Sequence, residues 1–204
     1  MLDRIIDVLK EKYPEPKCAL NYRTDYELMI AVRLSAQCTD ARVNLVTPAL
    51  FGKYPTLDAF AEANLEDVEE LVHSCGFYKH KARDIILACQ MLRDVYNGRV
   101  PDTMEELLKL PGVGRKTANL LLGDLYGQPS VVCDTHVIRI SNRLGLAKGK
   151  DPEKVETQLR AILPSEESSD FCHRIVLFGR EICTARSPKC DECPLAFHCR
   201  QFNP

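Results

Sequence analysis

Lys116 lies in Leu110-Pro111-Gly112-Val113-Gly114-Arg115-Lys116-Thr117-Ala118-Asn119, eighteen residues before Asp134. A surface lysine is ordinarily just solvated, and an aspartate at Asp134-Thr135-His136 is ordinarily a helix cap. The glycines give Lys116 a second reading. Gly112 and Gly114 leave a turn with little side-chain bulk, and the residues after them can wind a helix whose first backbone N–H groups lack intrahelical partners. Those groups can donate to a phosphate oxygen. The helix then carries the chain away and a turn lets it return, so Lys116 and Asp134 can face one cleft.

An amine beside a phosphate-binding turn points to attack on the sugar of a nucleotide. Attack at C1′ displaces a base and leaves an imine, and loss of a C2′ proton then expels the 3′ phosphate. The carboxylate of Asp134 can accept a proton or steady a developing cation. A stacked base is out of reach of such chemistry, so the nucleotide must be rotated out, most cheaply where damage has weakened its pairing. Gln37, in the small and polar junction Leu34-Ser35-Ala36-Gln37-Cys38-Thr39-Asp40, is a candidate to fill the gap. So is the aromatic and basic run Phe77-Tyr78-Lys79-His80-Lys81, read as a turn, with Tyr78 and Lys79 toward the opposite strand. Arg115 and His136 are further candidate DNA contacts, although His136 reads equally as an ordinary helix histidine.

Cys183, Cys190, Cys193 and Cys199 stand near the C-terminus at spacings C-x6-C-x2-C-x5-C. Structural zinc often uses two C-x2-C knuckles and here there is one, whereas a four-iron cluster takes one cysteine per iron and tolerates uneven loops. Spacing favours a metal centre over inert thiols, and an iron–sulfur cluster over zinc. Arg186 and Lys189, inside the first loop, are placed to offset thiolate charge. Six other cysteines are scattered and read as inert and buried.

These groups need helices to position them. Helical spacing predicts segments over 2–12, from Thr24 or Asp25 through Leu34, 41–51, 57–63, 65–72, a long helix to about Tyr96, and a short one after the capping box at Thr103-Met104-Glu105-Glu106. The glycine turn joins that short helix to one running to Tyr126, which is a helix–hairpin–helix by pattern. Helices from His136 to about Leu144, from Asp151-Pro152 to Leu163 and from about Asp170 to Ile182 complete the chain. No stretch alternates as a sheet would, so the fold class is all-α.

The 204 residues carry a net charge of −2 and are 45% hydrophobic, which excludes global disorder and bulk electrostatic coating of nucleic acid. Positive charge is local, at Lys109, Arg115, Lys116, Arg139, Arg143, Lys148 and Lys150. No apolar run is long enough to span a membrane and no export signal is expected at the N-terminus. The expectation is a cytoplasmic, nucleoid-associated monomer with no membrane partner.

Three motifs together resemble the endonuclease III family of iron–sulfur helix–hairpin–helix DNA glycosylases: Leu110 to Ala118, Val132-Cys133-Asp134-Thr135-His136-Val137, and the four-cysteine tail. The junction Leu34 to Asp40 is similar to the family's early loop, and the resemblance covers essentially the whole chain. It implies a six-helix domain over 20–128 containing the hairpin, and an iron–sulfur domain formed by 1–19 and 129–204. It implies a bifunctional DNA glycosylase and abasic-site lyase that removes oxidised or ring-damaged pyrimidines from duplex DNA. Lys116 falls on the Schiff-base lysine, Asp134 on the catalytic aspartate, Gln37 on the residue entering the DNA gap, and the four cysteines on the ligands of a [4Fe–4S] cluster. Ala31 stands where the adenine-removing branch has glutamate, and Lys116 where the thymine-mismatch branch has tyrosine. Both monofunctional readings are therefore disfavoured. A non-catalytic iron–sulfur DNA-binding module is the alternative from another class. Arg33 departs from the family's usual apolar residue and is expected to be a surface residue or to adjust the base pocket or its rim.

Overall fold

The computed structural model describes residues 1–200 and Phe202. Among them there is no strand, and eleven α-helices are joined by short turns. The chain divides into two compact units, Cys18–Tyr126 and Met1–Lys17 with Gly127–Pro204.

The first unit holds α2 (Asp25–Ser35), α3 (Asp40–Lys53), α4 (Leu57–Ala61), α5 (Leu65–Val72), α6 (Tyr78–Val95), α7 (Met104–Leu107) and α8 (Arg115–Tyr126). Five of these begin with a side-chain cap: Thr24, Thr39, Thr56, Asn64 and Thr103 each accept from the backbone N–H three residues on. Each cap satisfies a donor that the first turn would otherwise leave orphaned. At Thr103 only half of the expected capping box forms. Glu106 turns its carboxylate to Tyr96 and Lys109 instead of returning to the cap. The core is one continuous cluster, with Leu28, Ile30 and Leu34 of α2 meeting Leu50, Phe60, Val68, Ile85, Leu107 and Leu121.

Two local readings change. Tyr78 to Lys81 are the first turn of α6 and not a loop, because Phe77 takes a left-handed conformation (φ 47°) and starts the helix directly after Gly76. Lys81 is not on the surface but 1% exposed.

In the second unit α1 (Leu2–Lys12) packs on α11 (Ser168–Glu181), which also packs on α9 (Thr135–Leu144); α10 (Pro152–Ile162) completes it. The buried Arg174 fastens α1 to α11. Its Nε donates to the carbonyl of Tyr13 at 3.1 Å, and its other nitrogens reach Glu167 and Asp170, both at 3.2 Å. Tyr13 donates its hydroxyl to Glu181 at 2.6 Å, and Lys10 pairs with Glu167.

Candidate active site and cluster loop

The hairpin turn is built from Leu108 to Gly114. Leu110 and Val113 are buried and anchor it from below, and Val113 N–H closes it onto Leu110 O at 3.1 Å. Gly112 has φ +75°, a conformation that favours glycine. An ideal Cβ there would lie 2.5 Å from Arg33 Nε and 2.8 Å from Asp84 Oδ2. Gly114 differs, since a Cβ on it would meet nothing within 4 Å. The turn is therefore closed on its Gly112 side and open above Gly114, where α8 begins. Arg115 and Lys116 are exposed in the first turn of α8.

Arg33 is partly buried, its side chain 20% exposed. It forms an ion pair with Asp84, Nη2 to Oδ2 at 2.6 Å and Nε to Oδ2 at 2.9 Å, under the Gly112 turn. The pairing spans 51 residues of sequence, and nothing local in the chain signals it.

Gln37 is exposed with φ 55°, one of three non-glycine residues at positive φ among those described. Phe77 is another, and 66% exposed. Tyr78 packs against His73 with ring centroids 4.5 Å apart, and Lys79 is exposed.

In the second unit Asp134 caps α9, its Oδ1 accepting from Val137 N–H at 2.8 Å. The cap uses one carboxylate oxygen. Oδ2 takes no hydrogen bond among the described residues. His136 is half-buried, with Nδ1 3.2 Å from Arg139 Nη2. Burial pushes its imidazole below the ordinary value, against the pull of Asp134. Arg139 also donates to the carbonyls of Gly179 and Cys183 at 3.3 and 2.7 Å.

Cys183 follows α11, and two short 3-10 turns, Cys190–Glu192 and Ala196–His198, deliver the other three cysteines. All four line one cavity of about 340 Å³, counting its solvent-open mouth. Arg143 enters from α9 and donates through Nη1 to Cys183 Sγ at 3.1 Å and to Thr184 O at 2.9 Å. The charge partner of the thiols is thus Arg143, while Arg186 is exposed and makes no hydrogen bond among the described residues. Burial, and then the neighbouring Cys183, Cys199 and Cys190, push the thiol of Cys193 up. Four crowded thiolates call for a cationic centre. Among the described residues no three such donors are arranged to hold a single metal ion. A single zinc needs its sulfurs about 2.3 Å from one point. Four cysteines around a common void fit a polynuclear cluster better.

Residues 30–165 match the HhH-GPD superfamily base excision DNA repair protein family, and residues 183–199 match the iron–sulfur binding domain of endonuclease III. Endonuclease III of Synechocystis sp. is 47% identical over 196 residues, covering 96% of this chain and 90% of that one. The chain belongs to the endonuclease III family. This is the iron–sulfur branch of the helix–hairpin–helix DNA glycosylase/AP lyases. Endonuclease III of Escherichia coli K12 is 42% identical over 189 residues, covering 93% of this chain and 90% of its own length. The solved structure of a trapped endonuclease III–DNA covalent intermediate is 46% identical with a TM-score of 0.93, covering 99% of this chain and 95% of that one. A thermostable thymine-DNA glycosylase, 20% identical with a TM-score of 0.83, shares the fold alone. Among the described residues no helix is long and apolar enough to cross a membrane. The iron–sulfur centre of the family falls on the four cysteines that line the cavity.

Proposed function

We propose that Lys116 and Asp134 carry out coupled base removal and strand cleavage on oxidised or ring-damaged pyrimidines in duplex DNA. The observation that carries this reading is the hairpin itself, closed under Gly112, open over Gly114, and presenting Lys116 in the first exposed turn of α8. A phosphate seated on the Gly114 side brings the adjacent sugar to the amine. The N–H groups of that turn, with Arg115, then hold the strand.

The amine of Lys116 attacks C1′, the glycosidic bond breaks, and its electron pair leaves with the base, which takes up a proton. Asp134, through the oxygen left unused by its capping bond, steadies the positive charge that develops on the sugar. The secondary amine then gives up its proton, the C1′–O4′ bond breaks as the imine forms, and the ring oxygen takes up a proton. Removal of a C2′ proton then expels the 3′ phosphate, and water frees Lys116 from the product. Because Lys116 is exposed in the protein alone, its desolvation has to come from the DNA.

Gln37 and Phe77 fill the space left by the extruded nucleotide, Tyr78 and Lys79 face the opposite strand, and His136 contacts DNA near Asp134. In this reading 20–128 is the hairpin domain, and 1–19 with 129–204 is the cluster domain. Cys183, Cys190, Cys193 and Cys199 hold a [4Fe–4S] cluster, which supplies the folding energy of a tail with few buried side chains. A cytoplasmic location at the nucleoid follows from the substrate.

The test is a duplex with one oxidised thymine, incubated with the parent and with Lys116→Gln. Cleavage 3′ to the lesion by the parent only, with retained binding by the variant, supports the reading. Equal cleavage by both overturns it.

A further inference from the structure

Lys81 is, with Glu27, one of two charged residues only 1% exposed that the chemistry above leaves unused, and it lacks the ion pair that Glu27 makes with Arg23. It lies in the first turn of α6, 1% exposed, and its Nζ donates to Leu34 O and Cys75 O, each at 2.8 Å. Neither partner is a carboxylate. Burying an ammonium without a counter-ion is unfavourable, and burial lowers its proton affinity against the pull of the nearby Cys38 and Cys75. A methionine would fill similar volume without that penalty. What a methionine could not do is hold two carbonyls.

The positions of those carbonyls give the lysine a purpose. Leu34 is in the last turn of α2, three residues before Gln37; Cys75 closes the 3-10 turn His73–Cys75, two residues before Phe77. Gln37 and Phe77 are both exposed and both left-handed, at φ 55° and 47°. Non-glycine residues stay in that region only when their surroundings over-determine it, and such strain gathers where a side chain must be aimed. Between 34–39 and 73–77 the thiols of Cys38 and Cys75 also meet, and the ammonium is what ties the two backbones, holding one carbonyl of each segment.

We propose that Lys81 is a positioning residue that yokes the Gln37 junction to the Phe77 turn, so that the two side chains enter an interrupted duplex as one unit. The proposal rests on the reading that both side chains fill the gap. Lys81 itself touches no DNA. Its ammonium sets the spacing between a hydrogen-bonding probe and an aromatic one, which suits a duplex with one nucleotide missing from its stack.

A double-mutant cycle tests this, with binding to a duplex carrying one non-cleavable tetrahydrofuran abasic analogue read by fluorescence anisotropy. Gln37→Ala and Phe77→Ala are made singly and together, in the parent and in Lys81→Met. If the two side chains act as a unit, the loss in the parent double variant falls short of the product of the single losses by about fivefold or more. In Lys81→Met the shortfall disappears. Should Lys81→Met not fold, Lys81→Gln, which can keep one of the two bonds, takes its place. Losses that multiply in the parent overturn the proposal without any Lys81 variant. Coupling that survives in a folded Lys81 variant also overturns it. Unchanged binding by both single variants would remove the gap-filling reading itself, a result distinguishable from failure of the yoke.

Discussion

Arg33 and Asp84 form an ion pair beneath Gly112, with two hydrogen bonds of 2.6 and 2.9 Å to the same carboxylate oxygen. The pair joins α2 to α6, and its atoms occupy the space that a Cβ on residue 112 would need. The glycine of the hairpin is thus required for two reasons, its positive φ and the guanidinium under it.

Gly112→Ala should therefore destabilise the protein by about 2 kcal/mol or more, from left-handed strain plus displacement of the ion pair. Gly114→Ala, with open space around the new methyl group, should change stability by no more than about 0.5 kcal/mol. It should nevertheless weaken DNA binding, because the methyl group stands where a phosphate approaches. Urea unfolding and duplex binding of both variants check the contrast.

Truncating one partner of the pair should hurt more than removing the charge that needs it. Arg33 and Asp84 side chains are only 20% and 25% exposed. Asp84→Ala strands a largely buried guanidinium and should be destabilising by about 1–3 kcal/mol. Arg33→Leu leaves an aspartate that can turn to water and should be milder. Thermal melts rank the two, and the reverse order would mean that the pair does not support the turn.

Much of this arrangement was legible in the chain. Thr103 and Asp134 read as caps because a cap and its donors lie within three residues, and each makes its bond. The contacts that were not legible join residues far apart in the chain. Arg33 finds Asp84 51 residues away, Lys81 finds Leu34 47 away, and Arg143 finds Cys183 40 away. No local pattern distinguishes such cations from solvated ones. The start of α6 was misread for a different reason, since a left-handed phenylalanine is not what the sequence Gly76-Phe77 predicts.

Removing the metal should loosen the tail selectively. Between Cys183 and Cys199 the only fully buried side chain is Leu195, so apolar packing does little to hold this loop. Cys199→Ser should lose the visible iron–sulfur absorption, fall well below about four irons per chain, and become open to proteolysis after α11. Zinc in place of iron in anaerobically purified parent protein would contradict the cluster assignment.

His136 should make stability sensitive to acid. Its folded-state proton affinity lies below the ordinary imidazole value of 6.5, chiefly because burial disfavours the cation. The stability present above that value is lost as pH falls through the lower folded-state value, because the unfolded chain takes up the proton first. His136→Gln should flatten the fall in melting temperature below pH 6.5. An unchanged slope would place the acid sensitivity elsewhere.

The most direct test of the chemistry is borohydride trapping on duplex DNA carrying one abasic site, followed by peptide mapping of the adduct. The amine mechanism predicts a covalent protein–DNA product in the parent, mapped to Lys116 and absent from a folded, cluster-loaded Lys116→Gln protein. An adduct that persists in the variant or maps to another residue, or no adduct from cluster-loaded parent protein, would contradict it.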